Sequence, residues 1–486
     1  MKHSELNDFV GKNTTVFGAN RSGIAISRLL HELGAKVLLT DTRDSEVLSN
    51  DISQLEGMSL QFCLGGHHDS CINNAELIVV SPGVPLDIPI LVEATRKNIP
   101  IVGELEVSAG LCQAPIVAIT GTKGKSTTTL LTAAVLDSSR LYRNVIATGN
   151  IGIPLASNVS TLKQSDIAVV EASSFQLEST YSFRPQVSVV LNIERDHLDR
   201  HGTMDSYIKA KRKICQNQTD SDWIVLNAAD STVMTLAHKT AARKALFSDK
   251  HQNIKQLMRK FNTDVIAGMQ TEKKDNYVFV RNGNQEHRIC NINELPLAGS
   301  HNIRNVLATV VVGSILDVSP ERIRQGLFSL DRKHEALAHA FEKVSTINGV
   351  DYINDSKATN VLATYAALES IDSTVNQKQA LKRVILIIGG YDKGNDYNAL
   401  IEPIKKKVKM LVLLGEHTQN LQQVFAGCIE MSHASTMDEA VDCAYTHATP
   451  GDIVLLSPAN ASFDMYANYK ERGGAFVCKV KSLTTK

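Results

Sequence analysis

The stretch Ile116-Val-Ala-Ile-Thr-Gly-Thr-Lys-Gly-Lys-Ser-Thr-Thr-Thr129 decides how this chain is read. Its first four residues are an unbroken apolar run, as suits a strand buried on both faces. Gly121 and Gly124 then allow a tight turn in which backbone N–H groups converge, and Lys125 and Ser126 open a helix whose N-terminus adds positive potential. A strand-to-helix turn without ligand accounts for the glycines but not for the lysine and hydroxyl beside them. The expectation is therefore a nucleotide cradle made by Gly121, Thr122, Lys123, Gly124, Lys125, Ser126 and Thr127. Lys125 would neutralise the β- and γ-phosphates and Ser126 would ligate Mg2+. The spacing Gly-x-x-Gly-Lys-Ser is shorter than the Walker A form.

Similar apolar runs recur at Thr15–Phe17, Val37–Thr40, Leu77–Val80, Ile167–Val170, Val187–Asn192, Ile224–Asn227, Val384–Ile388, Met410–Leu414 and Ile453–Ser457, many with helix-period stretches between them. Alternating strand and helix implies an α/β chain with parallel sheets, whose chemistry sits in loops at the carboxyl ends of strands. The 486 residues exceed one hydrophobic core, and boundaries suggest themselves near Gln113–Pro115 and Asp331–Lys333. Lys250–Arg288, polar and poorly periodic, reads as peripheral hairpins and loops.

Lys plus Arg and Asp plus Glu are equal at 51 each, so no net positive charge is offered to nucleic acid or an anionic membrane. The cysteines are scattered with no Cys-x-x-Cys pair, which argues against a zinc ribbon or disulfide scaffold and suits a reducing compartment. Met1–Gly11 holds no signal-peptide core, and no apolar run approaches the roughly 18 residues of a membrane span. The expectation is a cytoplasmic chain.

Further clusters follow other strands. Glu171-Ala-Ser-Ser-Phe-Gln-Leu177 puts a carboxylate at a strand end, placed to hold Mg2+ or to face a helix dipole. Leu191-Asn-Ile-Glu-Arg-Asp-His-Leu-Asp-Arg-His-Gly202 offers Asp196 and His197 to a divalent cation; Asp199 and His201 read as a polar helix cap. Tyr207-Ile-Lys-Ala-Lys-Arg-Lys-Ile214 reads by composition as a solvated basic helix face. In Ile353-Asn-Asp-Ser-Lys-Ala-Thr-Asn360, Asp355, Lys357 and Thr359 suit a carboxylate or phosphate, with helix capping by Asp355 or Ser356 as the plain alternative. Ile387-Ile-Gly-Gly-Tyr-Asp-Lys-Gly394 is another glycine-bearing strand end. Leu455-Leu-Ser-Pro-Ala-Asn-Ala-Ser-Phe-Asp464 reads as a strand running into a helix, with Ser462 as an anion donor. Near the start, Val16-Phe-Gly-Ala-Asn-Arg-Ser-Gly23 is a Rossmann-like turn with Asn20 in place of the middle glycine, and Asp41 follows the next strand.

This ordered set resembles the Mur ligases over nearly the whole chain, and its Asn354–Asn360, Glu171–Leu177 and Ser457–Ser462 segments resemble the members that add D-glutamate. The resemblance implies three domains: a UDP-binding Rossmann-like domain over 1–113, a central P-loop-type ATPase domain over 114–332 and a Rossmann-like amino-acid-binding domain over 333–486. The activity implied is ATP-dependent ligation of D-glutamate to UDP-N-acetylmuramoyl-L-alanine through an acyl phosphate, with two Mg2+ ions, in a monomer. Ser22, Asp41, Thr42, Arg43 and Ser81-Pro82-Gly83 would hold UDP, and Asn150 the muramoyl group. Ser126, Glu171, His197 and Lys211 would bind metal, Lys211 as a carbamate. Asn302, Asn305 and Asp355 would contact ATP, and Lys357, Thr359, Ser462 and Phe463 would seat D-glutamate. Lys125, Lys211, His197 and Lys357 would be the catalytic set.

The sequence departs from the family pattern at three places. Lys123 stands where the family usually has Asn and would face phosphate or solvent. His339-Ala-Phe-Glu342 has Ala340 in place of the arginine expected to reach the γ-phosphate, with Arg332 as a candidate substitute. Tyr469 replaces a Phe. Alternatives are a Mur-type ligase for another amino acid, L-glutamate above all, or a non-catalytic nucleotide-binding relative.

Overall fold

The computed structural model describes residues 9–250, 254–272, 275–295, 300–330, 339, 341–371, 382–392, 394–415 and 418–483. The chain forms two compact units, Met1–Asp331 and Arg332–Lys486. Among the described residues it builds three α/β sheets, two in the first unit and one in the second.

The first sheet contains β1 (Asn13–Phe17), β2 (Lys36–Asp41), β3 (Gln61–Leu64), β4 (Leu77–Val80) and β5 (Ile101–Gly103), all parallel and ordered β3-β2-β1-β4-β5. The strand order reverses between β1 and β4, which opens a crevice at their carboxyl ends. Both faces are apolar: Val16, Leu39 and Val79 pack into one core, while Phe17, Ile78 and Val80 pack into another. That is why these runs do not alternate with polar residues.

The second sheet starts with β6 (Ile116–Thr120), β7 (Val145–Gly149), β8 (Ile167–Glu171) and β9 (Val187–Val190). It continues with β10 (Trp223–Asn227), β11 (Arg243–Phe247), β12 (Val265–Glu272), β13 (Asp275–Asn282) and β14 (Gln285–Asn291). Their order is β14-β13-β12-β11-β10-β9-β6-β8-β7, so β6 lies between β8 and β9 at another reversal. Over Lys250–Arg288 the expected peripheral hairpins are present as β12–β13 and β13–β14, while the expected loops are corrected. Ile254–Phe261 is a helix, and β12 pairs in parallel with β11 before β13 and β14 extend the same sheet antiparallel. Each of these three strands buries a short central or terminal block and leaves the rest exposed and polar, so no alternation marks them.

One apolar core joins the first two sheets, running through Leu105 and Val107 to Leu177 and Phe183. Polar contacts reinforce it. The Glu106 carboxylate accepts the N–H groups of Tyr181, Ser182 and Phe183, and Gly103 N–H donates to Ser179 O at 2.9 Å.

The second unit has β15 (Glu342–Ile347), β16 (Val350–Asn354), β17 (Val384–Gly389), β18 (Val408–Leu414), β19 (Glu430–Ala434) and β20 (Ile453–Ala459), ordered β15-β16-β20-β17-β18-β19. β15 is antiparallel and the rest are parallel. Two expectations change here. β20 does not run into a helix; the next helix, Tyr469–Ser482, starts later and is capped by Asn468. The helix Val361–Ser370 is capped by Asn360, not by Asp355 or Ser356. Ala340, Arg332 and Lys393 lie outside the described residues.

The turn after β1 demands glycine. A Cβ on Gly23 would stand 1.7 Å from Gly18 O and 2.9 Å from Ser81 Oγ. Gly23→Ala is therefore expected to cost about 3 kcal/mol or more and to lower the first thermal transition. Urea and thermal denaturation check this, and an unchanged transition would refute the packing argument.

Candidate functional site

A cavity of about 780 Å³ opens at the first reversal, lined by Gly18, Asn20, Asp41, Thr42, Arg43 and Ser81 among others. Asp41 is buried there with both oxygens engaged: Oδ2 accepts Ala19 N–H at 2.7 Å and Arg43 Nη2 at 2.8 Å, and Oδ1 accepts Arg43 N–H at 2.9 Å and Nε at 3.0 Å. Burial opposes its charge, but these donors prevail and hold its pKa at about 2. Asp41 thus fixes Arg43, which also donates to Asn20 Oδ1. Gly83 lies in the wall, and Ser81 Oγ donates to Gly18 O at 3.0 Å. Ser22 stands in the first turn of the adjoining helix Arg21–Glu32 rather than in the wall. His67 was not singled out from sequence. It lines the cavity, with Nδ1 2.9 Å from Thr40 Oγ1; its signal was the pair Gly65-Gly66 after β3.

At the second reversal the loop after β6 is held by Asn192, just past β9. Asn192 Oδ1 accepts the N–H groups of Thr122 at 3.0 Å and Lys123 at 2.8 Å, and Nδ2 donates to Lys123 O at 3.0 Å. The helix Lys125–Ser139 begins at Gly124, whose φ of 83° is left-handed. A Cβ there would lie 2.3 Å from Asn305 Oδ1, so Asn305 abuts the loop. Asn305 Nδ2 donates to Asn302 Oδ1 one turn earlier on the buried side of Ser300–Ile315. Lys125 Nζ turns back to Gly121 O at 3.0 Å and Thr122 O at 2.9 Å. Ser126 and Thr127 are half-buried in the first helical turn. Lys123, expected at phosphate or solvent, pairs with Glu194 Oε2 at 3.0 Å.

Glu171 ends β8 beside this loop. Its Oε1 accepts Asn150 Nδ2 at 2.8 Å, while Oε2 is buried without a hydrogen-bond partner among the described residues. A solitary buried carboxylate oxygen is costly, and a cation is the partner that suits it. His197 is half-exposed with a left-handed φ of 53°, 3.5 Å from Asp196 and tilted against the Phe175 ring. Among the described residues no cluster of three His, Cys, Asp or Glu side chains is arranged for a metal. His201 is bonded at Nε2 to Ser174 Oγ at 2.9 Å and stacks on Phe175. The Asp199 side chain is not described.

The helix Met204–Arg212 is not a solvated face, because Tyr207, Ala210 and Lys211 are buried. Tyr207 Oη meets Thr122 Oγ1 at 3.1 Å, and Lys211 Nζ donates to Gly121 O at 2.7 Å. Burial, and then the like charge of Lys125, drive the Lys211 pKa well below the ordinary lysine value against the pull of Asp196 and Glu171. The amine is thereby pushed toward its neutral, nucleophilic form.

In the second unit Asp355 is enclosed. Oδ1 accepts Phe341 N–H at 3.1 Å and Oδ2 accepts Ser457 Oγ at 2.9 Å, while burial pushes its pKa up to about 7. Lys357 is half-buried, Thr359 and Phe463 are exposed, and Ser462 is buried in the loop after β20. Arg472, missed from sequence, bonds both loops. Nothing in its Glu-Arg-Gly-Gly context marks it as internal.

Glu104 is a second buried carboxyl that sequence reading did not find. It accepts Gln176 Nε2 at 2.8 Å, and burial raises its pKa to about 7 from 4.5. The folded state then binds more proton than the unfolded one between those values, so this group's contribution to stability falls as pH rises through that window. Glu104→Gln is expected to remove on the order of 2 kcal/mol of that fall. Denaturation of both proteins from pH 4.5 to 7.5 measures the difference, and parallel curves would refute it.

Family models for the MurD-like Mur ligase N-terminal domain, the Mur ligase middle domain and the Mur ligase glutamate ligase domain match residues 12–103, 119–313 and 341–460. A UDP-N-acetylmuramoylalanine–D-glutamate ligase of Koribacter versatilis is 37% identical over 96% of this chain and 97% of its own. One of Pelotomaculum thermopropionicum is 38% identical over 98% and 99%. The solved MurF ligase of Thermotoga maritima in complex with ADP shares the fold, with a TM-score of 0.56 and 13% identity over 99% of this chain and 100% of that one. With likeness of that depth along nearly its whole length, the chain belongs to the Mur ligase family.

Proposed function

We propose that this chain joins D-glutamate to UDP-N-acetylmuramoyl-L-alanine at the expense of ATP, in peptidoglycan precursor synthesis. The observation that carries the reading is the near full-length match to ligases of that name. The substrate carboxylate takes the γ-phosphoryl group of ATP, the D-glutamate amine attacks the acyl phosphate, and phosphate leaves as the amide forms.

The domain limits 1–113, 114–332 and 333–486 and the following residue roles belong to this proposal. Arg43, fixed by Asp41, binds the UDP phosphates or uracil together with Ser22, Thr42, Ser81 and Gly83. The loop Gly121 to Thr127, shaped by the Thr122 and Lys123 amides that donate to Asn192, receives the ATP phosphates through its other N–H groups. Lys125 exchanges the carbonyls of Gly121 and Thr122 for phosphate oxygens, a small movement of a flexible side chain. Asn302 and Asn305 support the loop and the nucleotide. Asn150 holds Glu171 and meets the muramoyl substrate.

Mg2+ fits the unpartnered Glu171 Oε2, and Ser126, His197 and Lys211 are the residues that would complete its ligands. Bound there, it would offset charge on the transferring phosphoryl group. Lys211 suits this role as a carbamate, because an uncharged amine can take up carbon dioxide and then present oxygens to a cation. Asp355 contacts the ribose, and Lys357, Thr359, Ser462 and Phe463 seat D-glutamate. The chain acts as a monomer in the cytoplasm; among the described residues no helix is long and apolar enough to cross a membrane.

The test is product mass and phosphate release with ATP, Mg2+, UDP-N-acetylmuramoyl-L-alanine and each glutamate enantiomer. Release indifferent to D-glutamate, or product with L-glutamate alone, rejects the reading. Glu171→Gln is expected to lower kcat/KM by about 100-fold or more and to raise half-saturating Mg2+. A Mg2+ titration of steady-state rates checks this, and an unshifted curve would remove Glu171 from the metal site.

A further inference from the structure

Arg472 is the bulkiest fully buried side chain among the described residues. It lies in the first turns of Tyr469–Ser482, yet its guanidinium serves two loops elsewhere. Nε donates to Ser356 Oγ at 3.0 Å and Nη2 to Ser356 O at 2.9 Å. Nη1 donates to Asn460 O at 3.0 Å and Ala461 O at 3.1 Å. Ser356 lies between Asp355 and Lys357, and Ala461 immediately precedes Ser462. The planar fork therefore sets the spacing between the loop after β16 and the loop after β20.

The surroundings are shaped for this fork. A Cβ on Gly390, just past β17, would lie 3.0 Å from Arg472 Nη1 and 2.4 Å from Ala461 O. Ser356 Oγ passes the link on to Tyr469 O at 2.8 Å, and Asn354 Nδ2 donates to Gly473 O at 3.2 Å. Among the described residues the guanidinium's four acceptors are neutral oxygens, and Asp464, Tyr466 and Asp355 act on it through their charges. A buried cation with neutral acceptors is a poor way to gain stability, since an apolar side chain would fill the space without the loss of hydration. It does supply positive potential beneath two loops that offer Lys357, Thr359 and Ser462.

We infer that Arg472 is the positioning residue of the amino-acid site: its fork fixes the separation of the Asp355–Thr359 and Asn460–Phe463 loops, and its charge favours a dicarboxylate bound above them. The inference rests on the reading that these loops seat D-glutamate.

The experiment compares steady-state kinetics of the full-length enzyme with Arg472→Lys and Ser356→Ala. Lysine keeps the charge but cannot reach Ser356, Asn460 and Ala461 together. Arg472→Lys is expected to raise the KM for D-glutamate about tenfold or more, while the KM for the UDP-linked substrate stays within about twofold. Ser356→Ala, the milder change, is expected to raise the D-glutamate KM about threefold and serves alone should the lysine variant not fold. Two results overturn the inference: an unchanged D-glutamate KM in the variants that fold, or loss of kcat and thermal stability with every KM unmoved. Wild-type enzyme inactive toward D-glutamate would instead overturn the assignment of the loops, before any variant is compared.

Discussion

The central sheet's strand-end loop depends on one amide. Asn192 meets two N–H groups and one carbonyl of the loop after β6, so the protein's own contacts fix the loop's shape. Neighbouring constraints reinforce that shape. Gly124 must lack a side chain because Asn305 fills the space, and Thr122 is tied to Tyr207. A loop held in shape by the protein's own contacts loses little conformational freedom on binding. Such an arrangement suits phosphoryl transfer, where positioning and charge neutralisation provide most of the catalysis.

The same logic recurs in the first sheet. Asp41 is held ionised by four donors, three of them on Arg43, and the pair sets the direction of the guanidinium at the cavity wall. A lone arginine in that cavity would sample many rotamers. Tethered to a buried carboxylate at the end of β2, it is presented in one. Both sites therefore fix a polar group at a strand end and use it to aim a second group at the ligand.

Much of this was legible in the sequence. Buried parallel strands leave unbroken apolar runs, so Ile116–Thr120 and Val384–Ile388 announced themselves, and the residues that follow them mark the loops at once. The extension β12 to β14 was legible only as peripheral hairpins, because each strand buries a short block and leaves the rest exposed and polar. The loop after β20 also misled. Ser-Pro-Ala-Asn-Ala-Ser resembles a helix start, but the chain makes turns as far as Asn468, where an amide cap finally satisfies the first helical N–H groups.

What stayed hidden is chiefly the burial of polar side chains. Three lysines in or near the loop after β6 look alike in one dimension. In three dimensions Lys123 pairs with Glu194 at the surface, Lys125 folds onto its own loop, and Lys211 is enclosed against Gly121 O. Burial next to another cation disfavours charge on Lys211. Composition assigned the helix Met204–Arg212 to solvent because lysine is rarely internal. That prior fails here, where enclosing an amine against the Gly121 carbonyl gives it chemistry that a solvated amine lacks. Glu104 and Arg472 obey the same rule. Each looks like a surface residue by its letter, and each becomes informative once its contacts show what it holds in place.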